Sequence, residues 1–262
     1  MNEECRKEIK KLVLDKVTKK LDDPNNDIGE NKPFFEAIFG KETVTLAALV
    51  QSAYTSFGMS IYEQISVILA KNAGFHAESQ YTLKGNIDEN TANYINSHID
   101  SLKSDLKNKI VTTSDKKNET AEIQKRIKET SNPRIHGDST VDVYIKKTDG
   151  TEYYIDITTV KNNLKGFQAL KHKMLNWVAL RLSTDKTVDV KTIVAIPYNP
   201  YYPDNYFDNQ WNAQILDQQN DILIQEDYWN FVGDNNNTYN ELLNIFNEVG
   251  EEVKDKVVDF LK

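Results

Sequence analysis

The chain has 262 residues, which is enough to bury a full hydrophobic core in one large domain or two small ones. Its 39% hydrophobic and 27% charged residues are ordinary for a soluble protein, and its formal net charge of −8 argues against nonspecific coating of nucleic acid. A single cysteine, Cys5, excludes an internal disulfide framework. No apolar run reaches the roughly 20 residues of a membrane span, and the N-terminal residues lack the apolar core of a signal peptide. We therefore expect a cytoplasmic, prokaryotic-type protein without a membrane partner.

Helical periodicity dominates the first half of the chain. Apolar residues recur at intervals of three and four, with charged residues between them. An apolar segment, Leu46–Ala73, is interrupted by Gly58, and a polar loop is expected at Thr112–Asn118. The sequence therefore predicts a mainly helical lobe over residues 1–130. The other predicted helices of this lobe are Glu3–Leu21, Pro33–Phe39, Asn90–Ile110 and Glu119–Lys128.

A β-hairpin is predicted next. Thr140–Lys146 and Glu152–Val160 both alternate apolar and polar residues, and Asp149-Gly150 between them suits the positive φ angles of a tight turn. Asp142 and Asp156 each lie on the face opposite the aliphatic row of their strand. Adjacent antiparallel strands would bring these two carboxylates together.

The rest of the chain alternates helix and strand. A hairpin, a crossover helix and a parallel strand predict a mixed α/β core, with the hairpin, helix and strand in residues 131–207 and a C-terminal helical module in residues 208–262. We expect all 262 residues to form a single domain. The predicted elements after the hairpin are a helix at Phe167–Leu182, strands at Val188–Ile196 and Asp221–Gln225, and a helix at Tyr239–Leu261.

The two aspartates of the hairpin suggest a metal site. Neighbouring carboxylates repel each other unless a cation lies between them, so Asp142 and Asp156 are candidate ligands of a divalent metal, with the backbone carbonyl of Ile157 within reach. Two alternatives remain open. Both residues would also suit the solvated outer face of a hairpin. Asp138 competes with Asp142, although it lies in a glycine-containing turn where aspartate is common.

The hairpin resembles the PD-(D/E)xK nuclease core, and specifically TdeIII-like type II restriction endonucleases. Val141-Asp142-Val143 is similar to the first half of the motif, and Asp156-Ile157-Thr158 to the second. TSFGMSIYEQISVILA and DYWNFVGDNNNTYNELLNIFNEVG resemble the N-terminal helix and the C-terminal module of the family. The resemblance implies a restriction-endonuclease-like fold and a homodimer that cuts double-stranded DNA with Mg²⁺ at a short palindromic site of the GGNCC type.

One position departs from the motif. Thr158 stands where the family has a catalytic lysine, and a threonine hydroxyl supplies no positive charge. Lys161 is the predicted substitute if the strand bends or ends early, and Lys165 is a second source. A third alternative is a substitution that inactivates the enzyme, which would leave a noncatalytic DNA-binding protein. A repair or transposition nuclease with the same core is a further alternative.

The resemblance also assigns Glu63. In this superfamily a glutamate from an N-terminal helix often completes the metal site, so Glu63 is a candidate catalytic residue and metal ligand. The alternative is a capping or surface glutamate, because Ser60 and Glu63 have the spacing of a capping box.

Five cationic or partly cationic residues flank the hairpin and are candidate DNA contacts. Such side chains can neutralise phosphates or bind guanine edges, although most surface lysines and arginines do neither. The aromatic loop Tyr198–Phe207 is either a recognition or dimer loop or a cover over the sheet edge. The candidate DNA contacts are Arg134, His136, Lys171, Lys173 and Arg181.

Overall fold

The computed structural model describes residues 1–22, 32–56, 60–110, 114–158 and 161–261. The predictions that fall on Gly58, on residues 111–113 and on residues 159–160 lie outside these ranges. The chain divides into two compact units, one formed by Met1–Ala73 with Asn230–Lys262 and the other by Gly74–Trp229. Within the described ranges, no helix is long and apolar enough to cross a membrane.

The first unit is helical and joins the two ends of the chain. Helix α1 packs against helix α10 through the apolar stripes that their periodicity predicts, with Ile9 and Val13 of α1 fully buried. At the edge of this contact Lys10 pairs with Glu252, with 2.7 Å between Nζ and Oε1. The helices of this unit are α1 (Glu3–Asp22), α2 (Pro33–Phe39), α3 (Lys41–Ser56), α4 (Tyr62–Asn72) and α10 (Thr238–Leu261).

The second unit is built on a five-stranded mixed sheet in the order β1-β2-β3-β4-β5. The first three strands are antiparallel neighbours, whereas β3, β4 and β5 run parallel. Gly150, with φ 90°, provides the positive φ predicted for the hairpin turn between β2 and β3. The strands are β1 (His76–Thr82), β2 (Thr140–Lys146), β3 (Glu152–Ile157), β4 (Val190–Ile196) and β5 (Ile222–Ile224).

Helix α7 makes the crossover between the parallel strands β3 and β4 and is the central helix of this unit. Its residues Trp177 and Val178 are fully buried, in a core that also takes up the apolar faces of α5 and α6 through Ile95 and Ile123. Burial of this stripe is the main stabilisation of the crossover. The helices are α5 (Glu89–Lys107), α6 (Lys116–Arg126), α7 (Leu164–Leu182), α8 (Tyr206–Asn209) and α9 (Glu226–Gly233), and Trp211–Ile215 forms a 3₁₀ turn.

The structure confirms the predicted mixed α/β fold with a central sheet flanked by helices. It also contains a strand that the sequence did not predict, β1, whose residues HAESQYT are mostly polar because β1 is an edge strand. The compact units do not follow the predicted segments. Strand β1 and helices α5 and α6 fall within the expected helical lobe 1–130 but pack with the sheet, because α5 buries Ile95, Ile99 and Leu102 there. The assignment of the whole chain to a single domain stays a prediction.

Candidate active site

Strands β2 and β3 separate at the two aspartates. Their mutual pairing ends at Val143 and Ile155, although β2 continues along β1 and β3 continues along β4. In the fork that opens beyond this pair, the Ile157 N–H donates a hydrogen bond to Oδ2 of Asp142 at 2.7 Å. The Asp142 carboxylate therefore takes the place of the missing backbone acceptor. The fork brings Asp142 to the end of β3, which carries Asp156.

The environment of the fork disfavours a second negative charge. The pKa of Asp142 is raised above its ordinary value, first by burial and then by the negative charge of Asp156. The Ile157 N–H, the charge of Lys173 and a hydrogen bond from Gln80 act in the opposite direction. Asp142 is half-buried and Asp156 is buried, so their charges are only partly screened by solvent. These two carboxylates form the carboxylate pair.

A lysine from helix α7 contacts the carboxylate pair. Nζ of Lys173 forms an ion pair and hydrogen bond with Oδ2 of Asp156. The same ammonium lies 4.9 Å from the centre of the Trp177 ring, one helical turn further along α7. The Trp177 indole is itself fixed, because its N–H donates to the carbonyl of Asp138 at 2.7 Å. Lys173 is thus held between a carboxylate and an aromatic ring, with part of its side chain exposed.

The start of α7 explains how the helix reaches this position. Asn163 caps the helix by accepting a hydrogen bond from the Gly166 N–H at 2.9 Å, only a few residues after β3 ends at Ile157. Helix α7 therefore begins close to the end of the strand that carries Asp156.

The lysine predicted from the sequence is elsewhere. Lys161 is exposed and lies over the ring of Tyr201, with 4.2 Å between Nζ and the ring centre, and it makes no ion pair with Asp156. The structure does not bring Lys161 to the carboxylate pair, and its catalytic role stays a prediction. The alternative, Lys165, is exposed in the first turn of α7.

Thr158 occupies the motif position, and its uncharged side chain supplies no cation to the carboxylate pair. Its backbone N–H donates to the Ala195 carbonyl at 2.9 Å, so the residue continues the extended course of β3 beside β4. Its hydroxyl accepts a hydrogen bond from the Asn162 side chain at 3.4 Å. The position therefore holds a neutral polar group.

Lys171 is not a DNA contact. Its side chain is fully buried, and Nζ lies 2.6 Å from Glu119 and 2.5 Å from Asp221. Burial alone would lower the pKa of Lys171, but the charges of Asp221 and Glu119 outweigh it and raise the pKa. Lys116 also pairs with Asp221, at 2.8 Å. Lys171, Lys116, Glu119 and Asp221 form the buried charge network, which is structural.

Arg181 also forms an ion pair within the protein. Its Nε and Nη2 donate to the two carboxylate oxygens of Glu152 at 2.6 and 3.1 Å. The predicted DNA contact at Arg181 is therefore not supported, because its guanidinium charge is already neutralised in a partly buried pair. The predicted DNA contact Lys173 likewise forms an ion pair within the protein, with Asp156.

The remaining predicted DNA contacts are exposed before β2. Arg134 and His136 both have exposed side chains, and the backbone of Arg134 pairs with that of Gly85 at 3.0 Å in each direction. The His136 ring lies 3.1 Å from the Gly85 carbonyl. Asp138, the competitor of Asp142, is exposed and contributes its backbone carbonyl to Trp177. A role of Arg134 and His136 in DNA binding stays a prediction.

Glu63 is buried on helix α4 of the helical unit. The N-terminal cap of α4 is Ile61, whereas the capping alternative places Ser60 there. The expectation that Glu63 joins the metal site stays a prediction.

The carboxylate pair offers the ligand chemistry of a hard divalent cation. Mg²⁺ is commonly held by one or two carboxylates, with waters and substrate phosphate oxygens completing its coordination. Asp142, Asp156 and the carbonyl of Ile157 supply oxygen atoms only, which fits this preference. Across the described ranges, no three His, Cys, Asp or Glu side chains are grouped to hold a metal ion.

Two residues of this site were missed by sequence reasoning. Lys173 was assigned to DNA because nothing in its helical spacing indicates a contact with a strand residue. Gln80 lies on the unpredicted strand β1 and hydrogen-bonds to Asp142. No motif marks Gln80, and only the pairing of β1 with β2 would have revealed it.

Comparison with known proteins assigns the chain to a family. The sequence profile of the family described as "Type II restriction endonuclease, HinfI" matches residues 1–250. HgiEI, a type II restriction enzyme of Herpetosiphon aurantiacus, is 25% identical over 223 residues, which cover 85% of this chain and 78% of that enzyme. MjaII, a type II restriction enzyme of Methanocaldococcus jannaschii, is 23% identical over 248 residues, covering 87% of this chain and 64% of MjaII. The TdeIII-like subtype is not confirmed. The chain belongs to the HinfI family of type II restriction endonucleases.

Proposed function

We propose that this site-specific deoxyribonuclease is Mg²⁺-dependent and that its active centre consists of Asp142, Asp156 and Lys173. The observation that carries the proposal is the contact of Lys173 with Asp156 beside Asp142. Two carboxylates and one ammonium at a strand fork are the groups that phosphodiester hydrolysis requires, although the ammonium comes from helix α7 and not from β3.

Asp142, Asp156 and the Ile157 carbonyl would hold the metal ion. When bound there, Mg²⁺ would withdraw charge from the scissile phosphate and lower the pKa of a bound water. Asp142 is oriented for this task by the Ile157 N–H, which donates to its Oδ2. The proximity of the two carboxylates, unfavourable by itself, becomes favourable when a cation lies between them.

Lys173 would act on the attacking water and on the phosphate. Its ammonium has three donors, so it can hold a water molecule while keeping a hydrogen bond to Asp156. Its positive charge also stabilises the negative charge that develops on the phosphate oxygens in the transition state. The ring of Trp177 restricts the lysine from one side, which lowers the entropic cost of placing the ammonium.

The two strands of the DNA substrate suggest that the protein assembles as a homodimer. A duplex has two antiparallel strands, and a homodimer with twofold symmetry would place one active centre at each strand of a palindromic site. The homodimer and a cytoplasmic location are proposals. A GGNCC-type site stays a prediction from the resemblance. Arg134 and His136 are exposed in the segment before β2, and they would contact the DNA backbone.

A noncatalytic DNA-binding protein is the second candidate. The observation that favours it is Thr158, a neutral residue at the position of the motif lysine. The contact between Lys173 and Asp156 weighs against it, because a lysine retained at the carboxylate pair restores the missing charge.

Incubation of the wild-type protein with plasmid DNA tests the proposal. Discrete fragments should form with Mg²⁺ and should be absent with a chelator, and Asp142→Ala and Asp156→Ala should each abolish cutting. Tight binding of DNA that stays intact would favour the noncatalytic alternative, and a smear would indicate a nonspecific nuclease. Normal cutting by either aspartate variant would contradict the metal site.

A further inference from the structure

Strand β1 has an irregular backbone opposite the carboxylate pair. Gln80 has a φ of 53°, in the left-handed region that residues other than glycine rarely adopt. The residues on either side of it pair regularly with β2, Ser79 with Val143 and Tyr81 with Val141. This register places Gln80 opposite Asp142. An unusual backbone conformation inside a strand persists only where neighbouring contacts determine it.

The irregularity changes the side-chain alternation of β1. In a regular strand, Tyr81 would lie on the face opposite that of Asp142 and Tyr144. Its ring instead stacks on Tyr144, with 4.4 Å between ring centres and 19° between planes. The left-handed residue therefore directs two successive side chains, Gln80 and Tyr81, toward the face that carries Asp142.

One of these side chains reaches the active centre. The Gln80 amide hydrogen-bonds to the Asp142 carboxylate, which also accepts the Ile157 N–H at 2.7 Å. Asp142 is consequently held from both neighbouring strands, from β1 by Gln80 and from β3 by Ile157. A hydrogen bond from each side fixes the rotation of the carboxylate.

We infer that Gln80 is a positioning residue for the metal ligand Asp142, aimed at it by the left-handed backbone of β1. This inference rests on the proposed metal site and deepens it. Hydrogen-bond partners of ligating carboxylates change metal affinity about 10- to 100-fold when they are removed. Loss of the Gln80 amide should therefore weaken metal binding by about tenfold, even without DNA.

Two variants separate the amide from the backbone. Gln80→Gly removes the amide and adopts a positive φ without strain, whereas Gln80→Met removes the amide and keeps the length and strain of the native residue. If the amide matters, both variants should lose metal affinity to a similar extent. Gln124→Met is the matched control, because it removes an amide that donates to the Lys186 carbonyl at 2.6 Å on the same unit.

The measurement is Mn²⁺ binding to the DNA-free protein, followed by the electron paramagnetic resonance signal of free Mn²⁺, with circular dichroism to check folding. We expect both Gln80 variants to bind Mn²⁺ more weakly than the wild type does. Gln124→Met should bind Mn²⁺ with the wild-type affinity. Wild-type affinity in both Gln80 variants, or in Gln80→Gly alone, would overturn the role of the amide. Absence of Mn²⁺ binding by the wild-type protein would instead contradict the metal site itself. The two failures are distinguished by Asp142→Ala, which should weaken binding whenever the site exists.

Discussion

Lys173 and Asp156 are 17 residues apart in the chain and form an ion pair across the gap between helix α7 and strand β3. The ammonium at the carboxylate pair is therefore supplied by the crossover helix. Thr158, at the motif position on the strand, is hydrogen-bonded to Asn162.

Lys173→Ala should reduce DNA cleavage by about 10²- to 10³-fold, the usual effect of removing one group that stabilises transition-state charge. Single-turnover cleavage of a plasmid with saturating Mg²⁺ measures this loss. Lys165→Ala, which removes an exposed lysine of the same helix, should cut at close to the wild-type rate. Equal losses in both variants would indicate a general effect of charge on DNA binding.

Asp142→Asn should abolish cleavage and make the metal-free protein more stable. The asparagine oxygen can still accept the Ile157 N–H, while the repulsion between residue 142 and Asp156 disappears. Thermal unfolding in a chelator at neutral pH should therefore occur at a higher temperature than in the wild type. A lower unfolding temperature would show that the two carboxylates do not repel each other in the fork.

Lys171→Met should destabilise the protein by about 3–5 kcal/mol at pH 7, because it leaves buried carboxylates without one of their cations. Urea unfolding measures this loss. Lys165→Met, on the exposed face of α7, should change the free energy of unfolding by less than about 0.5 kcal/mol.

The loss in Lys171→Met should also depend on pH. The cations of the buried charge network hold the pKa of Asp221 at about 2 against the opposing effect of burial. The stability that Asp221 contributes is present above its ordinary pKa of 3.8 and is lost as the pH falls toward 2. The difference between variant and wild type should therefore shrink as the pH is lowered from about 4 toward 2. A difference that stays constant would argue against a charge effect.

Arg134→Ala should weaken DNA binding at low salt and reduce the slope of log affinity against log salt concentration by about 1. Its side chain is exposed, so folding should be unaffected. Binding can be measured by fluorescence anisotropy with Ca²⁺ in place of Mg²⁺ to prevent cutting. Lys191→Ala, an exposed lysine paired with Asp189 at 3.0 Å, is the control and should keep the wild-type slope.

The hairpin was predictable because its physical signals are local. Alternation of Val141, Val143 and Ile145 with polar residues indicates a strand, and Gly150 marks the turn. The same alternation placed Asp142 and Asp156 on one side of adjacent strands. By contrast, β1 is a polar edge strand, so its seven residues give no comparable pattern.

The cations were harder to assign because their roles depend on contacts between elements. Lys171 and Lys173 are both lysines on one helix, yet one is buried and the other contacts Asp156. A signal for Lys171 was present, since it shares helical spacing with buried Met174 and Val178. Lys173 has the same kind of spacing to buried Trp177, so spacing alone does not reveal its partner, which is fixed only when α7 packs on the sheet.

The most direct test of the role of Lys173 is single-turnover DNA cleavage by Lys173→Ala with and without Thr158→Lys. If the ammonium of Lys173 replaces the motif lysine, Lys173→Ala should be nearly inactive, and Thr158→Lys in the same chain should restore a measurable part of the rate. Cleavage by Lys173→Ala at the wild-type rate, unchanged by Thr158→Lys, would contradict the assignment of Lys173 to the active centre.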